Sequence, residues 1–417
     1  MFTQVRKSLQ QSYPRQFWLL VIGMLISTSG SSMIWPFLTI YVSERLEVAL
    51  AQVTLLMTLN SIVGLASSFI AGPIVDKVGR KWGMVVSLGA MSVYYVLMSR
   101  ADSWGAFAVL MSLSGFINPL YQISSDAMMA DIIPPEKRAD AFSLTRMSYN
   151  IGVALGPTIG GFVAQISYSI SFSIAAAGMM TYCILLAALA RETIPSRQPS
   201  HKTVEQPQAV PSARGYGRVL RDKPYMLFVL SLILTYVCVS MIWVLMSVYS
   251  KQNYGISEKQ YGLLPATNAL MVIFFQLGVT QLTKRFQPLR VLAAGALLYA
   301  LAVGGVSLAS GFWGFWICMV IMTIGELMLV PTAASYAANK APADLRGRYM
   351  SLYGFGWGAA YGIGPLLGGT LNDRLGPKYI WYGGSLVGMG AVLIFSLLAW
   401  RYPLPPSRSE TGLPEVQ

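Results

Sequence analysis

Acid–base and metal chemistry have little to work with in this chain. Among its 417 residues there is one histidine, His201, and there are three cysteines. His201 lies in a polar stretch, while Cys183, Cys238 and Cys318 sit inside apolar runs without C-x-x-C spacing. The cysteines therefore read as small packing residues, and no metal site, disulfide framework or histidine-based catalysis is indicated. There is no G-x-x-x-x-G-K-[ST] run, so nucleotide hydrolysis is not an energy source. Charge is scarce too, at 11% of residues against about 25% in ordinary soluble proteins.

What is abundant is apolar surface: 54% of residues are hydrophobic, and mean hydropathy is +0.54. A soluble fold of this size could not hide so much. The charge that is present leans one way, with 30 Lys and Arg against 17 Asp and Glu. These basic residues stand in short turns between apolar runs and form no continuous stripe, which argues against a nucleic-acid partner. An all-α polytopic membrane protein, surrounded by lipid, accounts for both features. Without clustered His, Cys or acidic residues at a membrane face, neither an enzyme nor a cofactor is expected.

A helix needs about 20 apolar residues to cross the hydrocarbon core. Division at charged and turn-rich breaks gives twelve spans: 17–43, 51–72, 82–99, 104–131, 140–165, 168–190, 225–250, 257–281, 290–309, 312–339, 348–371 and 379–400. The first is too long for a signal-peptide core, so no cleaved export signal is expected. With both termini on one side, that side holds 23 Lys and Arg and the other 6, the remaining one being Arg146. The positive-inside rule then places both termini in the cytoplasm of a bacterial inner, or plasma, membrane. The organisation expected is an N-terminal six-helix bundle over 1–190, a cytoplasmic linker over 191–224, a C-terminal bundle over 225–400 and a tail over 401–417. The linker, with Pro195, Pro199, Pro207 and Pro211 and seven basic residues, reads as a tether.

The halves are duplicated. Ser32-Met33-Ile34-Trp35 recurs as Ser240-Met241-Ile242-Trp243, 208 residues later. At the same offset, residues 138–161 align with 346–369, with seven identities in 24 positions, including Gly156-Pro157 against Gly364-Pro365. Six spans separate the copies, so the halves run in parallel topology around a shared axis. Departures from the repeat are informative: Asp76 aligns with Lys284, Asp126 with Ala334, Arg146 with Gly354 and Asn118 with Glu326.

Between spans 2 and 3 stands Gly72-Pro73-Ile74-Val75-Asp76-Lys77-Val78-Gly79-Arg80-Lys81. It resembles the G-x-x-x-D-x-x-G-R-[RK] loop of the major facilitator superfamily. In span 5, Gly152-x-x-x-Gly156-Pro157-x-x-Gly160-Gly161 is similar to the antiporter motif of the 12-span drug:proton antiporters within that superfamily. The resemblance covers essentially the whole chain. It implies the major facilitator fold, and it implies that Gly72, Asp76, Gly79, Arg80 and Lys81 form a gate closing the cytoplasmic side of an outward-facing state. A carboxylate at Asp76 can accept from helix N-terminal amides of the other half or pair with Arg80. The span 5 glycines allow close helix approach, and Pro157 lets the helix bend; packing and coupling are both open roles for them. The chain also departs from the pattern. Span 4 lacks the arginine that drug exporters commonly carry, span 1 has no acidic residue in its core, and Lys284 replaces Asp76 in the second half.

Three ionisable residues lie well inside spans: Asp126, Arg146 and Glu326. Such residues cost about 2.5–3.5 kcal/mol each at a helix centre, and function is their default reading. Asp126 and Arg146 fall at equal depth on consecutive spans, which makes a switchable or permanent ion pair the expectation. Glu326 has no evident basic partner and is a candidate proton or cation site, the alternatives being a carboxylate that binds cationic substrates and a neutral, hydrogen-bonded structural group. Candidate cavity-lining residues are Trp35, Asn118, Tyr121, Tyr149, Asn150, Trp243, Asn268, Tyr336, Trp357 and Tyr361, with Asn60, Gln122 and Gln276 also within spans. Aromatic faces offer broad contacts and hold cations.

The reading these features support is secondary transport: proton-coupled export of amphipathic or drug-like small molecules, by a monomer, without metal or cofactor. The alternatives are a lipid or glycolipid flippase-type transporter and proton-coupled uptake of a polar solute such as a sugar.

Overall fold

The computed structural model describes residues 13–134, 137–193, 216–342 and 345–402. The central part of the expected linker, 194–215, and most of the expected tail, 403–417, lie outside them. Twelve long helices fall where the twelve spans were expected, and we keep the span numbers for them: Arg15–Leu46, Leu50–Val78, Arg80–Met98, Trp104–Ile132, Arg138–Ile166 and Tyr168–Leu189, then Lys223–Tyr254, Glu258–Thr283, Pro288–Val306, Gly311–Lys340, Arg346–Leu375 and Tyr379–Arg401. The shortest has 19 residues, about 28 Å of helix, enough for the hydrocarbon core. A short helix, Tyr216–Leu220, precedes span 7. Span 7 starts at Lys223 because the Asp222 side chain accepts from the Tyr225 amide and caps its first turn.

Ten of the helices are long and apolar enough to cross a membrane by composition. The other two are spans 5 and 11, which the repeat pairs with each other. Arg138, Asp140 and Arg146 dilute span 5, and Arg346, Arg348, Asp373 and Arg374 dilute span 11. Their packing explains how they tolerate this. Span 5 lies between spans 1 and 8, and span 11 between spans 7 and 2, so these helices meet protein on both sides.

The packing obeys the repeat. Within the first half the principal contacts are 1 with 5 and 6, 2 with 4, and 3 with 4 and 6. Within the second they are 7 with 11 and 12, 8 with 10, and 9 with 10 and 12. Span 2 against 11 and span 5 against 8 join the halves, and the repeat exchanges these two contacts. The glycines make the close approaches. A Cβ on Gly156 would meet Ser32, and one on Gly364 would meet Ser240; Gly160 faces Met33 as Gly368 faces Met241. Gly161 faces Lys259 across the halves as Gly369 faces Ala51. Every one of these pairs repeats at the 208-residue offset, so the span 5 motif is in the first place a packing surface.

One break in symmetry matters for the site. Span 1 is helical over Arg15–Ile34 and Leu38–Leu46, with a tight 3₁₀ turn at Trp35–Phe37 between them. Pro36 lacks the amide that would continue the ladder. Its repeat counterpart is Val244, and span 7 runs unbroken.

Candidate functional site

We use "near face" for the side on which span 1 starts and span 12 ends, and "far face" for the other. Midway along span 10, Glu326 is half-buried and accepts from Nδ2 of Asn268 on span 8 at 2.8 Å. The same amide also donates to Oγ1 of Thr323 at 3.0 Å, while Thr323 donates to the Met319 carbonyl. Asn268 is itself buried. Its orientation is therefore fixed, with donors aimed at the carboxylate. The first half has the same scaffold without the charge: Asn60 donates to the Met111 carbonyl at 2.8 Å, and Asn118 to Ser114 at 3.3 Å.

Arg146 of span 5 is within electrostatic range of Glu326, although no described salt bridge joins the two. The same guanidinium acts electrostatically on Tyr353 of span 11. The expected Asp126–Arg146 ion pair is absent from the described salt bridges. Spans 4 and 5 follow each other in the chain, but span 4 packs on spans 2 and 3 while span 5 packs on 1, 8 and 6. Equal depth did not mean adjacency. Asp126 instead shares an exposed face of span 4 with Asn118 and Gln122, spaced at one helical turn.

Above the carboxylate an aromatic wall crosses the boundary between halves. Trp35, at the break in span 1, stands 6.0 Å from Trp243 of span 7 and 6.3 Å from Tyr361 of span 11. Tyr361 is 4.8 Å from Trp357, which is 4.9 Å from Tyr236. Trp35 and Trp357 each remain more than 40% exposed. The Glu326 charge acts on Tyr361, Tyr236 and Tyr149. Wall and carboxylate thus form one locality. Tyr149 is exposed, and Asn150, Tyr121 and Trp243 are half-buried. Tyr336 is placed differently: it is buried, with its ring 4.6 Å from Phe228, and serves packing within the second half. Gln276 bonds Thr280 and the Leu327 carbonyl.

The two faces are held differently. On the near face, the motif expected as a loop is mostly helix. Span 2 continues to Val78, and the turn is made at Gly79, whose φ of 106° favours glycine. Asp76 is largely exposed and lies 3.5 Å from Arg80, which also reaches Asp131 at 3.2 Å. Glu192 accepts from the amides of Arg80 and Lys81 at 3.0 and 3.2 Å and so caps span 3. Gly72 has open space where a Cβ would go. All of these contacts stay within the first half and the start of the linker.

On the far face the contacts cross. Asp373, near the end of span 11, accepts from the amides of Leu50 and Ala51 at the start of span 2, at 3.2 and 2.8 Å. Lys251 of span 7 bridges Glu44 of span 1 and Glu258 of span 8. Glu258 also accepts from the Tyr168 hydroxyl of span 6 at 2.7 Å, and Gln252 donates to Ser43. The Lys259 ammonium lies 4.6 Å from the Phe162 ring centroid. Sequence reasoning did not single these residues out. Alignment of Asp373 with Gln165 under the repeat was the one available signal. The described cross-half contacts put the halves together at the far face, down to the level of Leu65 and Gly358, and record none around Asp76.

Comparison with known proteins agrees with this geometry. The Major Facilitator Superfamily profile matches residues 20–252 and 228–416. A Na(+), Li(+), K(+)/H(+) antiporter of Planococcus maritimus is 26% identical, covering 94% of this chain and 97% of its own. The multidrug resistance protein MdtH of Klebsiella pneumoniae is 25% identical, covering 96% of each. Among solved structures, the nucleoside transporter NupG superposes with a TM-score of 0.78 at 10% identity, covering 94% of this chain and 100% of that one. A POT family transporter bound to 5-aminolevulinic acid gives 0.76 at 16% identity, with 94% and 96% covered. These structures share the fold. The chain belongs to the Major Facilitator Superfamily and is a multi-span membrane transporter.

Proposed function

We propose that this transporter exports amphipathic, drug-like compounds in exchange for protons, by alternating access, as a monomer in a bacterial inner membrane with its near face in the cytoplasm. The observation that carries the reading is Glu326, in the second half, held by Asn268 beside an aromatic wall built from both halves, with Arg146 of the first half in electrostatic range. A charge attraction spanning a boundary that must open and close is an element whose equilibrium a bound proton or cation biases. Neutralising Glu326 removes the attraction to Arg146 and frees the halves to rock. The exposed faces of Trp35 and Trp357 suit large planar or cationic substrates. Asp126, exposed on span 4, is a second carboxylate that a cationic substrate meets. The near-face basic residues support the orientation, and the MdtH relative supports the substrate class.

A second reading is exchange of alkali cations for protons, favoured by the Planococcus maritimus relative, which carries that activity in its name and matches nearly end to end. Both readings use the same carboxylate. The test is purified protein in proteoliposomes with an internal pH-sensitive dye, challenged with lipophilic cations, sodium, lithium, potassium, lipids and sugars. Proton movement driven by lipophilic cations supports the first reading, and movement driven by alkali cations alone replaces it with the second. A response to lipids or sugars only would move the assignment to flipping or solute uptake. Silence with every compound across a wide pH range would overturn proton coupling.

A further inference from the structure

Asn60 and Asn268 are repeat counterparts, yet their amides go to different acceptors. In the first half, Nδ2 of Asn60 crosses from span 2 to span 4 and donates to the Met111 carbonyl at 2.8 Å. The equivalent carbonyl of span 10 is that of Met319, and no described bond joins it to Asn268. The Thr323 hydroxyl occupies it instead, at 2.8 Å. Thr323 stands where the first half has Gly115, and the difference acts twice. A Cβ at Gly115 would strike the Asn60 carbonyl oxygen, so glycine is what lets span 2 lie close enough to span 4 for the direct bond. Threonine carries that Cβ, which holds the span 8 backbone off, and its hydroxyl takes the carbonyl that the asparagine would have used.

The amide released in this way is turned to Glu326. Thr323 has one hydroxyl proton, committed to Met319, and an ionised carboxylate has none to give. Both therefore meet Asn268 as acceptors, and Nδ2 serves the two together, donating to Thr323 Oγ1 at 3.0 Å and to Glu326 Oε2 at 2.8 Å. Asn268 and Thr323 are buried, so these bonds form in a low-dielectric setting where they are strong. Among the described residues Asn268 is the one hydrogen-bond donor to Glu326; Arg146, Tyr149, Tyr236, Tyr299 and Tyr361 lie in electrostatic range of it with no described hydrogen bond to it. We propose that Thr323 and Asn268 are a positioning pair for Glu326: the threonine blocks the Met319 carbonyl, and the asparagine, so diverted, holds one carboxylate oxygen and leaves the other for the exchanged proton or cation. The two departures from the first half, Thr323 for Gly115 and Glu326 for Asn118, then form one device, an acid and the hydroxyl that turns a shared amide toward it. Thr323 acts on transport through Asn268 and touches no substrate.

The proposal rests on Glu326 as the exchanging carboxylate, and its test separates the two. Infrared difference spectra between acid and alkaline pH are recorded on the full chain in nanodiscs, and the carboxyl C=O band of Glu326 is identified by its loss in Glu326→Gln. A carbonyl that accepts a hydrogen bond vibrates at a lower frequency than a free one. Thr323→Ala uncovers the Met319 carbonyl and is expected to move the Glu326 band to higher frequency, because the amide swings to Met319 as that of Asn60 does to Met111. Thr323→Ser, which keeps the hydroxyl, is expected to leave the band in place. Asn268→Leu is expected to move it at least as far as Thr323→Ala does, and in that background Thr323→Ala is expected to add no further shift. Substrate-driven proton flux in proteoliposomes is expected to fall about tenfold in Thr323→Ala and to stay near the parent value in Thr323→Ser. A Glu326 band that stays in place in Thr323→Ala, that moves as far in Thr323→Ser, or that moves again when Thr323→Ala is added to Asn268→Leu would overturn the pair. Glu326→Gln with the parent's flux would overturn instead the coupling role of Glu326, and the band would still report what holds its side chain. Where Asn268→Leu does not fold, the two Thr323 variants decide the matter alone.

Discussion

The two halves of this transporter are near copies in packing and strangers in charge. Gly156 and Gly364 meet equivalent serines, Gly160 and Gly368 equivalent methionines, and Asn60 and Asn268 hold equivalent positions on spans 2 and 8. Yet Asn268 supports a carboxylate where its counterpart supports none, because Glu326 stands where the first half has Asn118. Arg146, in electrostatic range of Glu326, occupies a position that is Gly354 in the second half. Duplication thus fixed the scaffold, and the chemistry sits in its exceptions. The shared glycines answer to helix contact, which both halves need; the unshared charges are the ones the proposed coupling uses.

The largest expected effect breaks the shared part. Leucine at Gly161 drives its Cβ into the span 8 backbone at Glu258, and leucine at Gly369 drives its own into the backbone at Ala51. Each is expected to destabilise the protein by about 3 kcal/mol, read as a drop in thermal midpoint in detergent. Gly354→Ala, where the space is open, is expected to change nothing. Next comes the unshared part. Glu326→Gln is expected to lower proton-coupled flux on the order of 100-fold, with a melting midpoint near the parent's, whereas Asn118→Gln leaves coupling intact. Arg146→Gln is expected to lower coupled flux about tenfold, and Arg146→Lys, which keeps the charge, less. Smaller still, Lys251→Ala removes the ammonium between Glu44 and Glu258 and is expected to cost about 1 kcal/mol of stability, checked in the same melting assay at low salt. Asn118→Ala is expected to shift the midpoint by an amount equivalent to about 0.5 kcal/mol or less.

Much of this comparison was legible in the sequence. Twelve apolar runs, the 208-residue offset and the Gly-Pro pairs fixed the architecture, because lipid imposes length and apolarity on each span locally. Spans 5 and 11 were placed by the charged and turn-rich breaks around them, and the repeat pairs them, even though their composition alone falls short of a membrane-crossing helix. What the sequence hid was adjacency. Asp126 and Arg146 share a depth on consecutive spans, yet no described salt bridge joins them, because span 4 packs on spans 2 and 3 while span 5 packs on spans 1, 8 and 6. Trp35 and Trp357 were identifiable as aromatics in spans, but their sharing of a wall with Tyr236 depends on the break at Pro36 and on the meeting of spans 1, 7 and 11. Asp373 was not singled out, because its partner is a backbone terminus more than 300 residues away, which no side-chain pattern encodes. Tyr336 failed for the reverse reason: a tyrosine within a span can serve as core, and Phe228 claims it.

The central claim is that Glu326 carries the charge that is exchanged. Its most direct test is proton release when a lipophilic cation, tetraphenylphosphonium, binds purified protein in weakly buffered detergent solution with a pH-sensitive dye. The parent protein is expected to release about one proton per cation bound, and Glu326→Gln to release none. Equal proton release from Glu326→Gln and the parent would contradict the account.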